Sequence, residues 1–359
     1  MQITKRPIFV LVLAFMTIAG FMSCILLSAR TAPLSYVAVQ LDAAGRMQAC
    51  MDEVKAQKAV LGIALSDEDV HMTGMLGEEY NFITTTLGSL EAKRTTANPD
   101  MAALVVRMFY EAGLKRGDRV GAGFSGSFPA LNIAVLAACD AMGIEVVYVA
   151  SVGSSMYGAN NPTFTFPEMA CHLTDSGLIG TMPALITLGG DQDIGIGMDE
   201  QLLASIRHRL DKLPVPLLIE PDLEKNITRR MALYDEGGID LFVSVGGNLT
   251  SLGNDEDAYS QGQGLLRPVL WGRIRPDSGL IERYRIKGIP VINLLNIQKI
   301  FADYGMPYDP KTLPERGKGI VYCTRQYNSV LIIGALLTTF ILLLWYRRLS
   351  KKHETGHLC

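Results

Sequence analysis

The sequence is poor in the residues that most often build metal centres and disulfide frameworks. Its 359 residues include six cysteines and five histidines, and no two cysteines form a CxxC pair. Six cysteines in a chain of this length do not make a disulfide scaffold. Cys50, Cys171 and Cys323 are the only candidates for a bridge, and whether any of them pair stays open. We predict no metal and no cofactor.

The chain also lacks an excess of positive charge. It carries 33 Lys and Arg against 36 Asp and Glu, a formal net charge of −3. Proteins bind nucleic acid largely by neutralising its phosphates with basic residues. The charge balance therefore excludes nucleic acid as a partner recognised by bulk electrostatics.

Two long runs contain no charged residue, one at 7–28 and one at 329–346. About 20 apolar residues span a bilayer, so both runs predict transmembrane helices. Basic residues next to a span stay cytoplasmic, which predicts an inner-membrane protein with both termini in the cytoplasm, the main domain outside, and the lipid bilayer as a partner. The basic flanking residues are Lys5, Arg6, Arg347, Arg348, Lys351 and Lys352. A cleaved signal peptide is the alternative for the first run.

These runs divide the chain into predicted segments. The flanking parts are a cytoplasmic N-terminus at 1–6, a transmembrane helix at 7–28, a second at 329–346 and a basic cytoplasmic tail at 347–359. Between them we predict a helical lead-in and polar connector at 29–97 and an α/β domain at 98–328.

From residue 117 onwards, short apolar runs alternate with helical patterns. Strands are predicted at 119–124, 145–150, 184–188, 217–219, 241–245 and 291–294. Alternating strands and helices are typical of a mostly parallel sheet. The predicted fold class is therefore α/β, with a mostly parallel doubly wound sheet, helices on both faces and flanking transmembrane helices.

The stretch GFSGSFPALN at 123–132 is the most informative one. It predicts a strand, a loop of small residues and a helix that opens at Pro129, a residue favoured in the first helical turn. A helix N-terminus behind such a loop can bind an anion. The loop fits neither GxxxxGK[ST] nor GxGxxG, so it does not predict a nucleotide site.

Four predicted strands end in loops rich in Gly and Ser, at 123–127, 151–158, 189–193 and 246–250. In a parallel sheet these loops gather at the carboxyl edge, where ligands bind. The polar segment 84–96 is either a solvated connector or a further ligand contact through its two basic residues. The candidate ligand-binding residues are Gly123, Ser125, Gly126, Ser127, Ser154, Ser155, Gly190, Asp191, Asp193, Gly247, Asn248, Lys93 and Arg94.

Two other functions of these loops are not supported by their residues, and a further segment is a second candidate for anion binding. GFSGS around Ser125 differs from the GxSxG nucleophile elbow, and His71, His172 and His208 lie in helix-like stretches, so no Ser–His–Asp triad is predicted. The acidic run from residue 191 lacks the alternating ligands of a calcium loop. Its carboxylates are predicted to line the crevice. A basic stretch at 267–287 is a second anion-facing candidate, or else a solvated surface.

Three segments resemble the poly-γ-glutamate system proteins, membrane-associated bacterial proteins linked to the synthesis and export of that polymer. They are TLGSLEAKRTT at 86–96, GAGFSGSFPALN at 121–132 and SVGSSMYGAN at 151–160. The resemblance implies an accessory protein with two partners: poly-γ-glutamate or another carboxylate, and the membrane subunits of a synthase or export complex. It assigns no catalytic residue.

The function expected from these observations is therefore a membrane-anchored accessory protein of poly-γ-glutamate synthesis or export, whose extracytoplasmic α/β domain binds or guides an anionic ligand. Two alternatives remain open. One is a hydrolase or transferase of γ-glutamyl linkages that uses Ser125 or Ser127. The other is a binding module for a small acidic metabolite.

Overall fold

The computed structural model describes residues 6–254 and 261–355, with side chains at 15–254 and 261–345. The chain divides into two compact units. The first comprises the two ends of the chain, at 1–34 and 323–359, and the second comprises residues 35–322. The sheet and the candidate site lie in the second unit.

The first unit pairs the two ends of the chain. Its elements are helix α1 (Arg6–Ser28), strand β1 (Arg30–Pro33), strand β11 (Cys323–Gln326) and helix α12 (Ser329–Thr355). β1 and β11 form an antiparallel ladder from Arg30↔Gln326 to Pro33↔Cys323, and α1 lies against α12.

The prediction of two flanking transmembrane helices is wrong. Among the described residues, no helix is long and apolar enough to cross a membrane. The described side chains of α1 and α12 cover residues 15–28 and 329–345, and neither stretch reaches the roughly 20 apolar residues of a span. The predicted inner-membrane location, with cytoplasmic termini and an extracytoplasmic domain, loses its basis with them. The predicted segments at 1–6 and 347–359 lie outside the described side chains.

The second unit is an α/β structure. Its helices are α2 (Val37–Val60), α3 (Leu90–Thr96), α4 (Asp100–Ala112), α5 (Pro129–Met142), α6 (Phe166–Asp175), α7 (Glu200–Leu210), α8 (Leu223–Asp235), α9 (Leu249–Leu252), α10 (Leu280–Ile286) and α11 (Ile297–Tyr304). Its strands are β2 (Thr84–Thr86), β3 (Arg119–Phe124), β4 (Glu145–Ser151), β5 (Ser154–Ser155), β6 (Leu185–Thr187), β7 (Leu217–Leu218), β8 (Leu241–Val245), β9 (Gly264–Leu266) and β10 (Val291–Leu294). A short 3-10 helix covers Ile320–Tyr322.

Seven of these strands form one mixed sheet in the order β7-β6-β4-β3-β8-β10-β9. Six strands run parallel, and β9 at one edge pairs antiparallel with β10. The six parallel strands correspond to the six predicted apolar runs. The antiparallel edge strand was not predicted, because GLL is too short to give an alternating pattern.

Helices cover both faces of the sheet, as two residues of β3 on opposite faces show. Phe124 points to one face and meets Phe166 of α6, with ring centroids 6.1 Å apart. Gly121 points to the other face, where a Cβ would lie 3.2 Å from the ring of Tyr234 in α8. The small residues of β3 let this tyrosine pack directly on the strand.

The chain order reverses at β3. From β3 the chain builds β4, β6 and β7 towards one edge, and it then returns to place β8 and β10 on the opposite side. Such a switch point leaves a crevice outside the carboxyl ends of the two central strands. The loop at 125–128, which follows β3, and the loop at 246–248, which follows β8, meet at this crevice.

Candidate functional site

A small second sheet brings three separated segments together. Strand β2 pairs in parallel with β5, with Thr84 opposite Ser154 and Thr86 opposite Ser155. The amide N–H of Met156 donates to the carbonyl of Thr86 over 3.1 Å. This ladder holds the polar segment 84–96 against the loop at 151–158, which itself touches the loop after β3. These are the three segments that carry the family resemblance.

Lys93 is the central side chain of the site. Helix α3 starts at the Ser89 cap, whose hydroxyl accepts from the Ala92 N–H over 3.2 Å, and it turns Lys93 inward until only 3% remains exposed. Lys93 Nζ donates to the carbonyl of Ser127 and lies 2.8 Å from Ser155 Oγ. It also sits 3.5 Å from the centroid of the Phe128 ring, where an N–H group of the amine contacts the ring face. We call Lys93, Ser127, Phe128 and Ser155 the lysine cluster.

Burial alone lowers the pKa of Lys93 well below its ordinary value. In the described part of the chain, no carboxylate forms an ion pair with this lysine. Desolvation disfavours the charged form of a lysine, and a nearby carboxylate would oppose that effect. Burial therefore favours the neutral form of this amine, and no carboxylate of the described residues opposes that effect.

Replacing Lys93 with methionine is expected to stabilise the protein at neutral pH. The unfolded chain protonates this lysine up to about pH 10.4, whereas the folded chain releases the proton at lower pH. Wild-type stability therefore rises with pH between the lowered pKa and the unfolded value. The difference in unfolding free energy between Lys93→Met and the wild type should shrink across that pH range, by at most about 1.4 kcal/mol per pH unit. Denaturant unfolding from pH 6 to 10 measures it.

Lys58 provides the matched control for this experiment. It is also buried, and its Nζ donates to the Leu76 carbonyl over 3.2 Å. Burial lowers its pKa to about 8, although Asp69 partly opposes the shift. The advantage of Lys58→Met should therefore change only above about pH 8. A Lys93→Met difference that does not change with pH would contradict the lowered pKa of Lys93.

The predicted serines lie around this lysine. Ser127 Oγ accepts from the Ser155 N–H over 3.0 Å, and the fully buried Ser154 donates its hydroxyl to the carbonyl of Gly126 over 3.0 Å. Ser125 lies at the switch point, where its Oγ accepts from the Ser127 N–H over 3.3 Å. The structure therefore brings four predicted serines into one connected network.

Gly126 makes this network possible. Its N–H donates to the Gly153 carbonyl over 2.9 Å, and a Cβ at this position would lie 2.6 Å from the Val152 carbonyl oxygen. Only glycine lets two backbone segments approach so closely. Gly123 plays no such part, because a Cβ there would face Ser251 on the other side of the sheet.

Arg94 does not point into the lysine cluster. Its guanidinium makes two hydrogen bonds to Asp309, of 2.8 and 2.7 Å, and it lies 3.5 Å from Glu68. Neighbouring residues on a helix point about 100° apart, so α3 buries Lys93 and leaves Arg94 in an ion pair. Only one of the two predicted basic contacts faces the site.

The loop at 189–193 is tied to the core instead of lining an open crevice. Asp193 is buried and accepts from Arg230 Nη2 over 2.5 Å. The other Asp193 oxygen accepts from the Thr187 hydroxyl over 2.9 Å. Asp191 is exposed and accepts from the Gln192 N–H over 2.8 Å, and Gly190 is half-buried. No local pattern indicates that Arg230, 37 positions away, neutralises Asp193.

The loop after β8 serves mainly to start a short helix. Asn248 caps α9, and its side-chain oxygen accepts from the Ser251 N–H over 2.8 Å. Gly247 is exposed. The neighbouring Gly246 packs against Ser125, which joins this loop to the one after β3.

The basic stretch at 267–287 is partly used in structural contacts. Arg283 is buried and donates to the Ser278 carbonyl over 2.7 Å, and Lys287 pairs with Asp235 at 2.7 Å. Arg267 and Arg273 stay exposed. This stretch does not contribute to the lysine cluster.

The histidines and cysteines also lie away from the cluster. His172 pairs with Glu53 at 2.8 Å, and His71 contacts the Pro310 carbonyl at 3.1 Å, so neither serves Ser125. Burial raises the pKa of Cys50 to about 12 and that of Cys171 to about 11, and neither is in a disulfide. Over the described ranges, no three His, Cys, Asp or Glu side chains are grouped closely enough to hold a metal ion.

Two open surface cavities lie elsewhere. One of about 500 Å³ runs along α7 beside Glu200 and Arg207, and one of about 390 Å³ lies beside Asp100 and Arg316. Neither is lined by a residue of the lysine cluster, which is a closed polar site.

Fold and site together define an α/β protein with a buried lysine and a serine network at the carboxyl edge of its sheet. Comparison with known proteins returned no match to any protein-family model, curated protein or solved structure.

Proposed function

We propose that the protein binds a carboxylate ligand at the lysine cluster and acts as an accessory protein of poly-γ-glutamate synthesis or export. The observation that carries the binding proposal is Lys93, a buried amine with hydrogen-bonding serines around it and no carboxylate partner among the described residues. The family resemblance supports poly-γ-glutamate as the ligand, because the three segments that carry it meet at this lysine.

A carboxylate would supply the negative partner that Lys93 does not have among the described residues. An opposite charge within about 4–6 Å favours the protonated lysine, so binding would restore the charge on Lys93 and draw a proton from solution. The hydroxyls of Ser127 and Ser155 supply further donors for an anion. A charge-assisted hydrogen bond of this kind contributes about 1.5–3 kcal/mol.

The closed shape of the cluster favours the end of a chain over its middle. Lys93 and Ser155 are 3% and 5% exposed, while Leu87, next to the cluster, is fully accessible at 88%. A single terminal carboxylate is the group of the polymer that so closed a site favours. The same geometry would admit a small acidic metabolite, so the ligand series must include both.

Calorimetric titration with γ-linked glutamate oligomers tests the proposal. Binding should take up protons, which titration in buffers of different ionisation enthalpy would show, and it should weaken as the pH rises. Lys93→Met should lose about 10- to 100-fold in affinity, the equivalent of one charge-assisted hydrogen bond. Lys58→Met is the control and should bind like the wild type.

Two further ligands decide the chemical class. γ-Linked glutamate oligomers whose terminal unit is amidated, and which therefore lack the terminal carboxylates, should bind much more weakly, and glutamate alone measures the contribution of a single unit. Equal binding of glutamate and its oligomers would favour the small-metabolite alternative. Absence of proton uptake, or equal affinity of Lys93→Met and wild type, would refute the proposed site. Unchanged polymer amount and length in cells carrying only Lys93→Met would refute the pathway.

A further inference from the structure

We propose that Ser155 is a nucleophile, that Lys93 is its general base, and that the lysine cluster transfers the acyl group of an amide to water. The inference goes beyond binding, and it rests on the proposed function only for its substrate class, an amide that carries carboxylates. Catalysis needs the neutral form of Lys93, so the amide group, and not a carboxylate, must lie against Ser155 and Lys93 in the productive complex.

The 2.8 Å separation of Lys93 Nζ and Ser155 Oγ is the first observation. A general base must lie within about 2.6–3.2 Å of the group whose proton it takes. Ser155 Oγ has no other hydrogen-bond partner among the described residues. Serine and lysine are one of the known pairings of nucleophile and base.

The groups around Nζ select Ser155 as the proton donor. A neutral amine has two N–H donors and one lone pair. The Ser127 carbonyl and the face of the Phe128 ring can only accept, so they engage the two N–H groups. The lone pair is left for the Ser155 hydroxyl. These three contacts point the lone pair of Nζ at the Ser155 hydroxyl, which is the orientation that a general base requires.

Ser155, and not a serine of the 123–127 loop, places its hydroxyl where Lys93 can take the proton. Ser125 Oγ accepts from the Ser127 N–H and packs against Gly246. Ser127 offers Lys93 its carbonyl, while its hydroxyl holds the Ser155 N–H. The position of the nucleophile therefore differs from the Ser125 or Ser127 suggested by the sequence.

Gly88 packs closely beside the Ser155 hydroxyl. A Cβ at this position would lie 3.0 Å from Ser155 Oγ and 2.7 Å from the Met156 carbonyl oxygen, so a larger residue would not fit here. Gly88 is half-buried and lies between the exposed Leu87 and Ser89, so the segment beside the hydroxyl lies at the protein surface.

The reaction is balanced without a further reagent. The Ser155 proton moves to Lys93 Nζ as Oγ forms a bond to the amide carbon. The C–N bond then breaks, and the lysine ammonium returns the proton to the leaving amine. Water attacks the resulting ester and gives a proton to Lys93, the C–Oγ bond breaks, and Ser155 is reprotonated. The products are a carboxylic acid and an amine.

Labelling with a fluorophosphonate tests the nucleophile on the full-length protein. Ser155 Oγ should displace fluoride from phosphorus, and mass spectrometry of the digested protein should locate the label on the peptide that contains Ser155. The labelling rate should rise with pH as Lys93 loses its proton. Lys93→Met should label at least 100-fold more slowly, the smallest usual contribution of a general base, and Ser155→Ala should not label. Ser176→Ala, at an exposed serine away from the cluster, should label like the wild type.

Release of primary amine from γ-linked glutamate oligomers tests the reaction itself, with the same variants. Wild-type protein that neither labels at Ser155 nor releases amine would overturn the proposal. A label on another residue, or equal rates in Lys93→Met and wild type, would do the same. Because Ser155→Ala removes only one hydroxyl, it should still bind the oligomers through Lys93. Binding of the oligomers without labelling would therefore refute Ser155 as a nucleophile and leave the binding function intact. Labelling of Ser155 without proton-coupled binding would refute the binding function and leave the nucleophile intact.

Discussion

Arg230→Met is expected to lower the free energy of unfolding by about 3–5 kcal/mol, the usual cost of removing one partner of a buried ion pair. Arg230 is 1% exposed and contacts three groups at once. Its Nη2 donates to Asp193 over 2.5 Å and to Thr187 over 3.1 Å, and its Nε donates to Asn226 over 2.9 Å. Methionine fills much of the same space but leaves the Asp193 carboxylate buried without a charge partner.

Arg229 is the matched control, since it is the preceding residue of α8 and also pairs with an acid. It lies 3.3 Å from Glu220, but its side chain is 60% exposed. Exposed pairs contribute only about 0–1 kcal/mol, so Arg229→Met should change stability little. Denaturant unfolding of both variants measures the contrast.

A double variant separates the lost ion pair from lost packing. Arg230→Met combined with Asp193→Asn removes the isolated charge, and it should be more stable than Arg230→Met alone. Residues in one network give such non-additive results. If Arg230→Met costs no more than Arg229→Met, the buried pair does not stabilise the fold as described.

The regular elements around the site could be predicted because each has a local signal. The apolar run at 119–124 and Pro129 after the small-residue loop are sufficient to predict β3 and α5. A parallel sheet then gathers the loops at one edge, which is how Ser127 and Ser155 were both identified. The parallel sheet brings these residues together, and the alternation of strands and helices in the sequence is enough to predict that sheet.

The pairing of side chains could not be predicted in the same way. Lys93 and Arg94 are adjacent basic residues, and nothing in their order tells which one α3 buries. Asp193 was predicted to line the crevice, whereas its partner is Arg230 in α8, 37 positions away. Such choices depend on long-range packing, which a local pattern does not record.

Gly189→Ala is the second variant with a large expected effect, because it separates two loops that support the site. Gly189 has φ +67, and a Cβ there would lie 2.6 Å from the Gly153 nitrogen and 2.7 Å from its Cα. Backbone atoms cannot move aside as a flexible side chain can. We expect a loss of about 2–5 kcal/mol, from 1–2 for the left-handed conformation and 1–3 for overpacking.

Gly177→Ala separates these two contributions. Gly177 has a similar φ of +73, but a Cβ there would meet nothing within 4 Å. It should therefore lose only the conformational part, about 1–2 kcal/mol. Gly189→Ala should also weaken binding of glutamate oligomers, because Gly153 holds Gly126 and so the Ser127 carbonyl that orients Lys93. Equal losses of stability in the two variants would show that the loops can part without strain. In that case the close approach of Gly153 and Gly189 would not be what positions the lysine cluster.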